Sequence, residues 1–221
     1  TVIITGRNQS DVDSTCELIK KNGGTCEAFI GDLTTEDGLK NSLEFVKQKF
    51  NQLDVLVTNI GSGKTPNENI VDINEWKRVF DINFFSGVLA VNTFLPLIEN
   101  TQGQIVCISS IAGIEKISAP ISYSVAKAAV LAYVQNLMRP LSEKNVRINA
   151  VSPGNVWIEK GSWYNKMQQD PSRTQGIIQN QVALKKFVEP QEIANAVWFT
   201  IENPSVTGQN IVVDAGQTRQ T

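Results

Sequence analysis

Histidine is absent from this chain of 221 residues. Its absence excludes Ser-His-Asp hydrolysis, imidazole general-base catalysis and histidine-ligated zinc. Proton transfer near neutral pH is left to a tyrosine, lysine, cysteine or carboxylate whose pKa its surroundings have moved. Cysteine is scarce: Cys16, Cys26 and Cys107 are odd in number and lack the paired spacing of a zinc site or a disulfide framework. They predict reduced thiols, no metal centre and a cytoplasmic protein. No apolar run reaches the roughly 18 residues of a membrane-spanning helix, and no leader pattern opens the chain, so neither a span nor a secretory signal is expected. An excess of either charge is missing too. Lysine and arginine total 20 against 22 aspartate and glutamate, and the net charge of −2 offers no footprint for a phosphate backbone, so nucleic acid is not an expected partner.

What the chain does have is alternation. Short apolar runs at 2–5, 26–30, 54–58, 104–109, 147–151 and 210–213 alternate with helical patterns at 11–22, 35–50, 75–98, 121–144 and 190–200. This is the signature of βαβ units, and it predicts a single α/β domain over 1–221: a doubly wound, mainly parallel Rossmann-like sheet flanked by helices. Gly23-Gly24 ends the first helix as a C-terminal cap. Residues 155–174 form the least regular stretch, too long for an ordinary loop. They read as a lid or binding loop with short helices, or as a surface insertion.

Tyr123-Ser124-Val125-Ala126-Lys127 opens the helix that follows the strand ending in Ser109-Ser110. The four-residue spacing puts a phenol and an ammonium on one helix face. A phenol titrating at about 10 is a poor acid–base group at pH 7, and an adjacent cation favours its phenolate, so Lys127 is expected to tune Tyr123. Ser110 stands thirteen residues before Tyr123, at a strand carboxyl end, where α/β sheets open their ligand crevice. Asn59-Ile60-Gly61 follows another strand, and Ser152-Pro153-Gly154 closes a third. Asn83, in Asp81-Ile82-Asn83, lies within a long helical pattern where a buried amide needs a reason.

With Thr207-Gly208-Gln209-Asn210-Ile211-Val212-Val213-Asp214 at the end, the order Asp32, Asn-x-Gly, Asn83, Ser110, Tyr-x-x-x-Lys, Pro-Gly resembles the short-chain dehydrogenase/reductase family from one end of the chain to the other. The resemblance implies an NAD(P)(H)-dependent oxidoreductase that interconverts a carbonyl and a secondary alcohol. Tyr123 would be its general acid or base, and Ser110 would polarise the substrate oxygen. Lys127 would also bind the nicotinamide ribose, and Asn83 would hold a water that relays protons to Lys127. Ser109 is the competing serine, but the thirteen-residue offset favours Ser110. For the cofactor the resemblance implies Asp32, with Leu33 beside it, at the adenine, and Asn59 and Gly61 along the adenosine. Pro153, Gly154 and Val156 would meet the nicotinamide carboxamide. Gly61 has the alternative role of permitting a turn. Ile158 occupies a place where the family often has a hydroxyl.

The beginning of the chain departs from the family pattern. Thr5-Gly6 is followed by Arg7-Asn8-Gln9-Ser10-Asp11, without further glycine, and only one helix and one strand separate Gly6 from Asp32. Residues 1–7 therefore align with the family's second strand. A strand, turn and helix of roughly 25–35 residues are expected ahead of it in a complete sheet. Arg7 then falls where a basic residue reads a 2′-phosphate, which favours NADP(H) over NAD(H); the alternative is an exposed charge after a strand. The expected strand order is 3-2-1-4-5-6-7 in the family's numbering, with the strand-1 place empty or filled from upstream. The long helices imply a homodimer or homotetramer, and the expected partner is a small carbonyl or alcohol substrate, with no membrane. The substrate ranges from a 3-oxoacyl thioester to a sugar or steroid carbonyl. Trp157, Trp163, Tyr164 and Met167 read either as an apolar substrate wall or as the core of a short helix. A non-catalytic nucleotide-sensing or scaffold protein that keeps the fold is the alternative.

Overall fold

The computed structural model describes residues 1–66, 68 and 70–218; residues 67, 69 and 219–221 of the expected 1–221 domain lie outside the described residues. Every strand pairing among the described residues is parallel. β1 (Val2–Gly6) pairs with β2 (Cys26–Ile30), while β3 (Val55–Thr58), β4 (Gln104–Ile108), β5 (Arg147–Pro153) and β6 (Asn210–Val213) form a second sheet in that order. β1 does not pair with β3. Between them lies an apolar cleft of about 720 Å³ lined by Ile4, Phe29, Leu33, Leu56 and Asn59 among others. Within each sheet the neighbours are those expected from the sequence, but the described strands form two sheets rather than the single expected one.

The helix ends follow local chemistry. Asn8 caps α1 (Gln9–Lys21) by accepting from Ser10 N at 3.0 Å. That helix closes on Gly23 at φ +82°, with Gly24 N donating to Ile19 O and Gly23 N to Lys20 O, the paired bonds of a glycine-terminated helix. Thr35 caps α2 (Glu36–Lys49) through Gly38 N. Asp72 caps α3 (Ile73–Phe80) through Asn74 N and Glu75 N. A π-helical turn, Asp81–Phe85, joins α3 to α4 (Ser86–Thr101). By length and composition this helical run from Ile73 to Thr101 could cross a bilayer, with mean hydropathy 1.4 in its most apolar window, although no unbroken apolar run marks it in the sequence. In the fold Val91, Phe94, Leu97 and Ile98 are buried in the main core, shared with residues of α5 (Ile121–Ser142), where the helix packs on α2, β3 and β4 and a third of its most apolar window is buried. Residues 155–174 carry short helices as expected: α6 (Ser162–Gln169) and the start of α7 (Pro171–Gln181). α8 (Pro190–Glu202) then covers β5 and β6, its start set by Pro190 and a Glu189/Glu192 capping box.

The expectation of three reduced thiols is corrected. Cys16 on α1 and Cys26 at the start of β2 form a disulfide with Cα atoms 5.4 Å apart, and only Cys107 is free and buried. The ten-residue separation of Cys16 and Cys26 matches no motif. The helix turning back onto its strand brings them together, and with that the cysteines cease to support a cytoplasmic location.

Candidate active site

Parallel strands put all their carboxyl ends on one edge, and the candidate residues gather there: Arg7 after β1, Asp32 after β2, Asn59 after β3, Ser109-Ser110 after β4 and Gly154 after β5. Ser110 begins a short 3₁₀ turn, Ile111–Gly113, and its Oγ accepts from Ala112 N at 3.2 Å. The same hydroxyl hydrogen-bonds Tyr123. Ser109 is turned away and buried, donating to Lys127 O at 2.8 Å. Of the two serines only Ser110 is therefore presented to Tyr123.

α5 carries Tyr123 and Lys127 one turn apart, with Lys127 Nζ 5.9 Å from the centre of the Tyr123 ring. Lys127 is 4% exposed. Its ammonium donates to Ile108 O at 2.9 Å, and burial pushes its pKa down to about 8. Burial pushes the Tyr123 phenol up, and the Ser110 hydroxyl pulls it partway back. The expected tuning is thus corrected: desolvation dominates at Tyr123, the opposing pull comes from Ser110, and the ammonium is directed at a backbone carbonyl. Beneath them, Cys107 hydrogen-bonds Thr58 and is pushed up to about 11 by burial, which keeps it a neutral thiol.

Asn83 is buried in the π turn, where widened turns concentrate at functional sites. Its amide is a staple. Oδ1 accepts from Ser62 N at 2.8 Å, and Nδ2 donates to Ser62 O at 3.1 Å and Val79 O at 3.0 Å. Both amide hydrogens are committed, so a water relay at this side chain has only the second lone pair of Oδ1 to use. Gly61 needs no left-handed backbone. A Cβ there would sit 3.1 Å from Asn83 Oδ1 and 3.2 Å from Lys127 Nζ, so close approach rather than a turn explains the glycine.

The cofactor candidates are arranged less tightly. Arg7 is exposed and lies 3.7 Å from Asp32 Oδ2. Asp32 Oδ1 accepts from Thr34 Oγ1 at 2.6 Å and Thr34 N at 3.0 Å, and these bonds, with Arg7 beyond them, hold its carboxyl below the usual range. Leu33 is half-buried against the core, and Asn59 lies exposed at the cleft. Pro153 ends β5, Gly154 N donates to Val213 O, and Val156 bridges to Val188. Asn155, between them, is buried, and its Nδ2 has no partner among the described residues. Trp157 packs on Phe187 at 4.9 Å and on Tyr164 at 5.8 Å, while Trp163 reaches the same Phe187 at 5.8 Å. Those rings are a small aromatic core, with Trp157 and Met167 also lining a cavity of about 540 Å³.

Sequence reasoning missed two supporting residues. Ser62 and Gly113 carried no motif. Gly113 is the more constrained of them, because a Cβ on it would lie 2.6 Å from the Lys127 carbonyl carbon and 2.7 Å from Ala128 N. A glycine three residues past a strand-end serine was the available signal.

A family model described as enoyl-(acyl carrier protein) reductase matches residues 1–218. The chain is 30% identical over 218 residues to glucose 1-dehydrogenase 2 of Bacillus subtilis (strain 168), covering 95% of this chain and 81% of that protein. It is 29% identical over 222 residues to the 3-oxoacyl-(acyl-carrier-protein) reductase FabG of Thermotoga maritima, covering 98% and 87%. Among solved structures, a 7α-hydroxysteroid dehydrogenase complexed with NADH and 7-oxo glycochenodeoxycholic acid superposes with a TM-score of 0.88 at 26% identity, covering 100% of this chain and 85% of that one.

Proposed function

The chain belongs to the short-chain dehydrogenase/reductase family and is an oxidoreductase of CH–OH and C=O groups, and from that premise we propose how its own residues divide the work. The observation that carries the reading is the convergence of Ser110, Tyr123 and Lys127 at one strand edge, with Gly61 leaving room beside the ammonium. A nicotinamide cofactor fits these residues. Lys127 has one acceptor among the described residues and two N–H groups to spare, and Asn155 holds an orphaned donor in the loop assigned to the carboxamide. When bound, the cofactor supplies or takes up the hydride. Ser110 donates to the substrate oxygen, stabilising charge that develops there. Tyr123 gives its phenolic proton to that oxygen in reduction and withdraws it in oxidation. Lys127 holds ribose hydroxyls and restores the Tyr123 proton, with Asn83 fixing the loop beside it.

Asp32, Leu33, Asn59 and Gly61 line the adenosine side, and Pro153, Gly154 and Val156 the carboxamide side. Exposed Arg7 favours NADP(H) over NAD(H) through a 2′-phosphate. The substrate is a ketone such as a 3-oxoacyl thioester, a reading that the similarity to the Thermotoga maritima reductase supports. Exposed Phe85, Ile121 and Val125 on the central helices favour a homodimer or homotetramer. The test is cofactor oxidation followed by nicotinamide absorbance with a panel of acyl, steroid and sugar ketones, offering NADPH and NADH in parallel. Turnover with acyl ketones and tighter binding of NADPH are expected. No turnover with any ketone would remove the catalytic reading, and equal affinity for the two cofactors would remove the role of Arg7.

A further inference from the structure

The loop between β3 and α3 carries Asn59 and Gly61, and Asn83 holds it at Ser62. A second set of bonds, outside that site, holds it a few residues further on. Thr65 Oγ1 donates to Glu75 Oε1 at 2.6 Å, and Thr65 Oγ1 lies 3.4 Å from Ser122 Oγ. A hydroxyl has one proton, and Thr65 has given its own to Glu75, so Ser122 is the donor in the second contact. Glu75 is gripped in turn by Arg78, whose Nε and NH2 donate at 2.7 and 2.6 Å, and Arg78 NH2 also donates to Lys64 O at 2.8 Å. The run Ser122, Thr65, Glu75, Arg78, Lys64 thus ties the loop to α3 on one side and to the first turn of α5 on the other. Ser122 is 2% exposed and adjoins Tyr123.

An isolated Glu–Arg pair three residues apart on a helix would contribute little. This pair differs because it is two-pronged, and its carboxylate receives a hydroxyl that in turn satisfies a buried serine. The position of this loop matters because it passes beside the Lys127 ammonium: a Cβ added at Gly61 would lie 3.1 Å from Asn83 Oδ1 and 3.2 Å from Lys127 Nζ.

We infer that Thr65 and Glu75 are positioning residues that lock the β3–α3 loop onto the first turn of α5, keeping Gly61 in place beside Lys127. The inference rests on the proposed function for its kinetic consequence but not for its structural one. Thr65→Val deletes the hydroxyl at nearly constant shape, and Thr65→Ser restores it. In the whole protein without added ligand, amide hydrogen exchange over 61–66 is expected to speed up about tenfold in Thr65→Val, the loss of roughly one hydrogen bond to a charged group. The KM for the nicotinamide cofactor is expected to rise by a similar factor, with kcat within about twofold and the thermal midpoint little changed. Thr65→Ser is expected to return both to wild type. Unchanged exchange and KM in Thr65→Val would overturn the lock, as would a loss of kcat with stability that Thr65→Ser does not rescue. If Thr65→Val does not fold, Glu75→Gln is read by the same exchange: faster exchange over 61–66 supports the lock, and wild-type exchange overturns it. A wild-type protein without turnover would count against the proposed function alone, and the exchange measurement would still decide the lock.

Discussion

Tyr123 and Lys127 are pulled in opposite directions by the same burial. The phenol is pushed up, and the ammonium down to about 8, so each is driven toward its neutral form. A neutral phenol is ready to give a proton, which suits carbonyl reduction. Tyr123→Phe keeps the ring and deletes that proton. Cofactor binding, measured by nicotinamide fluorescence, is expected to persist while kcat falls by at least about 10²–10⁴-fold; near-wild-type turnover would end the assignment. Lys127→Met is expected to weaken cofactor binding and to change the pH–rate profile near pH 8, where Lys127 itself titrates, because the group proposed to resupply the Tyr123 proton is gone while Ser110 still acts on the phenol. A profile that stays in place would detach Lys127 from proton transfer. The Tyr-x-x-x-Lys spacing was legible in the sequence because one helical turn places both side chains. The choice between Ser109 and Ser110 follows from the hydroxyl of Ser109 being committed to Lys127 O. What no spacing could reveal was burial, which reverses the expected direction of the Tyr123 shift.

At the scale of elements, most strands and helices lie within a few residues of where the apolar runs and Gly23-Gly24 predicted, and Asn8, Thr35, Asp72 and Pro190 fix helix starts locally. The departures depend on partners remote in sequence. The π turn at Asp81–Phe85 interrupts what reads as one helix, and Asn83 there bonds to a serine 21 residues away. The disulfide joins a helix to the strand it packs on. The 3₁₀ turn after β4 lies against the α5 backbone, and Gly113 is what lets it approach. Gly113→Ala would drive a methyl into the Lys127–Ala128 peptide group, where no side chain can give way. The turn would have to lift from α5, carrying Ser110 away from Tyr123. A loss of about 1–3 kcal/mol is expected in denaturant unfolding, typical of overpacking. Loss of kcat is expected to accompany it, and a variant with wild-type stability and rate would show that the turn does not set the position of Ser110.

For the whole molecule, buried ionisable groups give an alkaline stability profile whose sign follows from proton counts in the folded and unfolded chains. Lys127 has a folded pKa of about 8 against its ordinary 10.5, so above pH 8 the unfolded chain holds a proton that the folded one releases, and stability rises with pH. Cys107 runs the other way: at about 11 against 9.0, the folded chain retains a proton that the unfolded one loses, and stability falls above pH 9. Tyr133, pushed up to about 12 from 10.0 by burial, adds a second fall above pH 10, and Tyr123 contributes in the same direction. The denaturant midpoint is therefore expected to climb between pH 8 and 9, level off to about pH 10 and then decline. Below pH 8 the buried ammonium is a cost, on the order of 3 kcal/mol at about 1.4 kcal/mol per tenfold shift. On the proposed function, this cost is what places a cation beside Tyr123. Lys127→Met removes it, so the variant predicted to lose activity is also predicted to be more stable at pH 7, with the climb above pH 8 abolished and the decline above pH 10 intact. Equilibrium unfolding of both proteins from pH 6 to 11 checks this. A Lys127→Met protein less stable than wild type at pH 7, or one that keeps the climb, would mean that the Lys127 ammonium is not buried at a cost in the folded protein.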